Sequence, residues 1–284
     1  MQTISNPIAD LAKPNLQLEF LQKVVEDLKT DARVRALWLK GSLGRGKADR
    51  HSDIDLHIAV APDDSASFRA DYEARLNRIH SVLLHHELFG GSMIGTKLLN
   101  SRGEMISLHT FLETEAKFQV KEDQNRVLFD PNNILTNTPA APASSEEICR
   151  ALHVEICYFW NLFSALPSIE RGEIMAAMQY LHHEVNQLIF VFALGRGRVR
   201  DVGDLRLNEL LEPDERQKLE HVLTLPDLSH SSIVKAHLSL AKIMRQLGRE
   251  ITKKWSCEYP EIFERAVLEN VTRELQRMEL PFEA

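Results

Sequence analysis

The stretch that most constrains this chain is residues 36 to 60, ALWLKGSLGRGKADRHSDIDLHIAV. An apolar run breaks at Gly41-Ser42, passes through a basic, glycine-containing loop, and re-enters an alternating segment that carries Asp53 and Asp55. Strand side chains alternate faces, so the pattern predicts strand, loop, strand with both acids on one face and Ile54 and Leu56 on the buried side. Two hard oxygen ligands about 7 Å apart at their Cα atoms can share one or two divalent cations.

Composition sets the frame around that stretch. At 284 residues, 44% of them hydrophobic, the chain is long enough for two domains with their own cores. A formal net charge of −7 disfavours an extended phosphate backbone, so nucleic acid is not an expected partner. Cys149, Cys157 and Cys257 are odd in number and lack C-x-x-C spacing, which fits a reducing compartment better than a disulfide framework and predicts core or incidental thiols. The segment MQTISNPIADLAKPN has no basic region followed by an apolar one, and the longest apolar run, Leu188 to Leu194, is too short to span a bilayer. A cytoplasmic protein without a membrane partner is expected.

Taken in order, residues 17 to 29 carry apolar positions at helical spacing and predict a helix leading into a strand from Arg35 to Leu39. Pro62-Asp63-Asp64-Ser65 is a turn and N-cap signal, with a helix predicted from Phe68 to Leu84. Paired glycines in HHELFGGSMIGTKLLN predict a bend or hairpin between short strands, and MISLHTFL, residues 105 to 112, a further strand. These elements predict a mixed sheet of four or five strands with helices on one side. Asp130-Pro131-Asn132-Asn133 and TNTPAAPASS then mark a boundary, after which Ser144 or Ser145 with Glu147 starts a helical half. Helices are predicted over 148–166, 173–194, 213–223, 232–255 and 261–278. The expected fold class is α+β: a mixed-sheet domain over 1–135 and a helical bundle over 145–284 that binds substrate or forms a dimer.

Gly41-Ser42, ten intervening residues and Asp53-Ile54-Asp55 after an apolar strand resemble the signature of the nucleotidyltransferase superfamily, which includes DNA polymerase β and the antibiotic nucleotidyltransferases. The residue types suit that chemistry independently. Gly41 lets the backbone approach a triphosphate, and Ser42 offers a hydroxyl and an N–H to a phosphate oxygen. Asp53 and Asp55 suit magnesium, which neutralises a triphosphate and stabilises charge on the attacking and leaving oxygens. Lys40, Arg45 and Lys47 are near enough in sequence to reach phosphate, with a solvated loop as the plainer alternative. The strand MISLHTFL offers Ser107 or His109 where many superfamily members carry a third acid, which is a departure from the family pattern.

Arg102-Gly103-Glu104 before MISLHTFLETE, Arg171-Gly172-Glu173 opening a helix, and the two-domain length are similar to the lincosamide nucleotidyltransferases with a helical carboxy-terminal domain. That resemblance implies Glu104 as the base taking the acceptor hydroxyl's proton; Glu87, on a neighbouring predicted segment, is the reserve, and Glu113 and Glu115, later in the chain, are expected to be solvated. It implies AMP transfer from Mg-ATP to a small cationic antibiotic, lincosamides before aminoglycosides, by a possible homodimer. The rivals are a nucleotidyltransferase acting on tRNA or protein, and an inactive nucleotide-binding homologue. His85-His86-Glu87 and His182-His183-Glu184 lack the H-E-x-x-H spacing of a zinc site, and His153 with Cys157 is expected to pack in the bundle. Tyr158, Phe159, Trp160 and Phe163 are expected as core; Glu155, Glu170, Glu173 and Glu184 are the acids available to a cationic drug.

Overall fold

The computed structural model describes residues 16–49, 51–99, 102–139, 141–199 and 204–280. Contacts divide the chain into two units, Met1–Ala141 and Pro142–Ala284. Among the described residues no helix is long and apolar enough to cross a membrane.

Alternation of apolar and polar positions builds the first unit. Helix α1 (Leu16–Leu28) leads into β1 (Val34–Leu39), a four-residue turn of helix α2 (Gly41–Gly44) and β2 (Ile54–Val60). Helix α3 (Ser65–Ile79) is followed by β3 (Val82–Leu88), β4 (Met93–Leu99) and β5 (Met105–Glu113), then the short β6 (Phe118–Lys121), β7 (Arg126–Phe129) and β8 (Leu135–Thr138). Six strands form one mixed sheet in the order β3-β4-β5-β2-β1-β7, while β6 and β8 pair in a separate ribbon. Only the β2–β5 contact of the main sheet is parallel, with Asp55 opposite His109; its other neighbours run antiparallel.

Ile54, Leu56, Ile58 and Val60 of β2 join Leu21, Val24 and Leu28 of α1 and Phe68, Tyr72 and Leu76 of α3 in one core. Burial of aliphatic side chains of this size contributes about 1.5–3 kcal/mol each. The opposite face holds a smaller core of Ala36, Trp38, Ala59, Val120 and Ile134, so the β6–β8 ribbon covers only part of it. What remains open is the end that carries Asp53, Asp55, Ser107 and His109.

Two local expectations for the first unit are corrected. The helix predicted to Leu84 ends at Ile79, because His80 turns extended and the Asn77 side chain accepts the Val82 N–H at 3.0 Å, starting β3. The sheet has six strands rather than four or five. Its extra strand β7 and the ribbon strands are four residues long, too short to show a period of two.

The second unit is helical: α4 (Ser145–Phe163), α5 (Ile174–Gly195), α6 (Pro213–Leu223), α7 (His230–Trp255) and α8 (Glu261–Arg277). Ser144 caps α4 with a reciprocal bond to Glu147. Phe159, Trp160 and Phe163 are core as expected, whereas Tyr158 is exposed. Cys149 and Cys257 form a disulfide across 108 residues, correcting the expectation of three free thiols; Cys157 is the free cysteine. No spacing motif marks the pair, because the packing of α4 on α7 brings the cysteines together. Cys157 Sγ lies 3.6 Å from His153 Nε2, but His153 is exposed on α4 and not packed within the bundle. Glu184 is fully buried, with both carboxylate oxygens within 2.9 Å of His237 Nδ1, and is thereby removed from the acids open to a ligand. Burial pushes its carboxyl pKa up against the opposing pull of His237.

Candidate active site

The site grows from the junction of β1 and β2. The Lys40 N–H donates to Asp55 O at 3.0 Å, and the chain then turns at Gly41 with φ of +63°. A Cβ at Gly41 would lie 1.9 Å from Oδ2 of Asp55, so glycine is required both by the backbone conformation and by the carboxylate seated against it. The turn closes through Gly44 N–H to Lys40 O at 2.9 Å and Lys47 N–H to Ser42 O at 2.8 Å. Helical first turns leave their leading N–H groups without intrahelical acceptors, here those of Gly41, Ser42 and Leu43. Gly44 is equally constrained, since a Cβ there would meet Gln124 O at 2.5 Å and Leu39 O at 2.7 Å. The second glycine of G-S-L-G was the available signal for it.

The approach to Asp53 is fixed by a small side-chain turn. Ser52 Oγ accepts the Asp49 N–H at 2.8 Å and donates to Asp49 Oδ1 at 3.1 Å, while the His51 N–H donates to the same oxygen at 2.9 Å. Asp53 and Asp55 therefore stand beside the turn on the open face, each partly exposed. Lys40 and Lys47 are exposed and Arg45 is partly buried. Charge from Lys40 acts on His57 and Glu113, farther along the same face than Asp55.

On β5, His109 occupies the row of Asp55 and its Nδ1 lies 3.2 Å from Asp55 Oδ1. That hydrogen bond raises the imidazole pKa, helped by the charges of Asp53 and Asp55 and opposed by burial and Lys97. Ser107, on the same face, is bonded by the Lys97 ammonium of β4. Lys97 escaped the sequence reading, although alternation in MIGTKLL puts it in phase with Gly95 opposite His109.

The three other acids go to different places. Glu104 is exposed just before β5, at the end of the sheet that carries Asp53 and the Gly41–Ser42 turn. From Met105 to His109 the strand alone covers about 13 Å. Glu87 points to the α3 face, where Arg69 Nη1 bonds it at 2.9 Å, away from the aspartates. Glu113, expected to be solvated, is half-buried and 2.7 Å from His57 Nδ1. No group of three or more His, Cys, Asp or Glu able to hold a metal occurs among the described residues. Two carboxylates suit magnesium that arrives with a triphosphate, because it commonly takes one or two protein carboxylates and completes its shell with phosphate oxygens and water.

Residues 21–98 match the family model of the nucleotidyltransferase domain. The chain carries a nucleotidyltransferase domain. The matched segment of this domain includes Gly41, Ser42, Asp53, Asp55 and Lys97, and ends before Glu104, Ser107 and His109. Among solved structures the chain is similar to an aminoglycoside 6-adenyltransferase from Bacillus subtilis, at 14% identity and a TM-score of 0.36, covering 92% of this chain and 99% of that one. It is similar to a nucleotidyltransferase-like protein from Exiguobacterium sibiricum 255-15, at 13% identity and 0.39, covering 84% and 78%. A STING-associated CdnE c-di-GMP synthase from Capnocytophaga granulosa follows at 13% and 0.30, covering 88% and 85%. No curated protein matches the sequence.

Proposed function

We propose that this enzyme transfers AMP from Mg-ATP to a hydroxyl of a small cationic antibiotic, a lincosamide before an aminoglycoside, and releases pyrophosphate. The observation that carries the reading is the seating of the Asp55 carboxylate against Gly41, which sets a metal-binding oxygen beside a phosphate-binding turn. Asp53 and Asp55 would hold magnesium, whose charge offsets that of the triphosphate and of the oxygens being joined and parted. Gly41 and Ser42 cradle phosphate through backbone N–H groups and the Ser42 hydroxyl, with Lys40, Arg45 and Lys47 adding positive charge around the loop.

The acceptor oxygen attacks the α-phosphorus in line; the bond to the bridging oxygen of pyrophosphate breaks, and that oxygen leaves with the electron pair. Glu104 takes the proton of the acceptor hydroxyl. For one hydroxyl to meet both Glu104 and the phosphorus, the α-phosphate would lie beyond Asp53 toward the exposed β4–β5 connection. A homodimer through the helical unit belongs to the same proposal.

Mass spectrometry of lincosamides and aminoglycosides, incubated separately with the purified protein and each nucleoside triphosphate, tests the reading. A drug gaining one adenylyl group, with lincosamide ahead, is the expected result. Label from ATP entering RNA or protein while every drug stays unmodified would overturn it in favour of a macromolecular acceptor.

A further inference from the structure

The row of side chains beside the two aspartates contains a cation. Lys97 and Ser107 pair across the β4–β5 ladder, and the Lys97 ammonium donates to Ser107 Oγ. Ile54 stands opposite Leu108, so Ser107 lies level with Asp53 one strand away, and strand spacing is about 4.8 Å. A single imidazole, His109, feels the charges of Asp53, Asp55 and Lys97 together. Four groups of mixed charge thus share one open patch, and the carboxylates are the members suited to metal.

Lys97 is partly buried, Ser107 is buried, and among the described residues Lys97 has no carboxylate in ion-pair range. A partly desolvated ammonium is costly unless its donors are used. Ser107 takes one of the three, leaving two for a ligand on the open face. Held by a hydroxyl, the lysine has little freedom to swing into solvent, so little ordering is left for binding to impose. Metal on Asp53 and Asp55 would neutralise the nearest competitors for the ammonium, and the anion that arrives with the metal is a phosphate.

We propose that Lys97, seated on Ser107, is a phosphate-holding residue of the transfer site, grasping the nucleotide from the β4–β5 side while the Gly41–Ser42 turn holds it from the other. This inference rests on the reading that this face binds a nucleoside triphosphate. It gives the site a cation in the strand pair where a third acid was expected.

Affinity for an ATP analogue with a methylene between the α and β phosphorus atoms, measured with magnesium and without any acceptor, tests the role apart from turnover. Lys97→Met should weaken binding about 10- to 50-fold, the effect of losing one charge-assisted bond. Lys97→Arg should retain most of the affinity, and Ser107→Ala should lose a few-fold. Wild-type protein that fails to bind the analogue would overturn the nucleotide reading of the face and this inference with it. Wild-type binding with equal affinity in folded Lys97→Met would overturn the inference alone. Should the Met variant not fold, a Ser107→Ala variant with unchanged affinity and unchanged salt dependence would do the same.

Discussion

Two histidine–carboxylate pairs stand on one face of one sheet, and only one of them is open. His57 Nδ1 lies 2.7 Å from Glu113 Oε1, and its ring is stacked between Trp38, with centroids 5.2 Å apart, and Phe111, at 4.5 Å. His109 Nδ1 lies 3.2 Å from Asp55 Oδ1, and both side chains are about a quarter exposed, against 6% for His57. Burial pushes the His57 pKa down, while the bond from Asp55 pushes that of His109 up. The same two chemical groups become a structural prop under the β6–β8 ribbon and a solvent-facing element beside Gly41. Burial, not residue type, separates the roles.

Breaking the open pair should have the largest effect on chemistry. Asp53→Asn or Asp55→Asn should lower transfer about 10²- to 10⁴-fold, the scale of lost metal-centred charge stabilisation, with the unfolding midpoint close to wild type. Gly41→Ala should lose as much, since the new methyl displaces Asp55; steady-state rates against a matched unfolding curve check all three variants. Breaking the closed pair should instead cost stability: His57→Ala empties a slot between two aromatic rings, and denaturant unfolding should report a loss of about 2–4 kcal/mol.

A smaller effect follows from pH. The unfolded chain takes a proton on His57 near its ordinary value of 6.5, whereas the buried imidazole resists it, so its stabilising effect is whole above that value and fades as pH falls toward the depressed pKa. Glu113, held below its ordinary 4.5 chiefly by the His57 hydrogen bond, loses its contribution as pH falls further through its depressed value. Stability should therefore decline on acidification below about 6.5, and a His57→Phe, Glu113→Gln double variant should show a shallower acid branch; parallel branches would refute the assignment. The smallest effect belongs to His109→Gln, which should move unfolding by no more than about 1 kcal/mol because both groups of its ion pair are partly solvated.

The two pairs also differ in how far they could be read from the chain beforehand. The open pair's carboxylate was visible because Asp53, Asp55, Gly41 and Ser42 fall within fifteen residues, where strand alternation and glycine chemistry act locally. Helices of the second unit were visible for the same reason, each being long enough to show its period, with Ser144 and Glu147 marking a start. The closed pair was invisible: His57 and Glu113 are 56 residues apart, and Glu113 looks like a polar residue past a strand until β2 and β5 are laid in register. Cys149 and Cys257 were missed for the same cause, as was Glu184, whose partner His237 lies 53 residues on. Leu83 and Leu84 misled in the other direction, continuing a helical spacing from Leu76 and Ile79 while standing exposed on the edge strand β3. Sequence reading succeeded where physics is local and failed where only the assembled register creates the contact.

On the proposed reading, the open end of this face binds a metal–nucleotide complex and the closed end does not. Titration of an ATP analogue at increasing magnesium, in Asp55→Asn and Glu113→Gln side by side, tests it most directly. Asp55→Asn should lose the magnesium-dependent gain in affinity and Glu113→Gln should keep it. An Asp55→Asn protein that responds to magnesium as wild type does would contradict it.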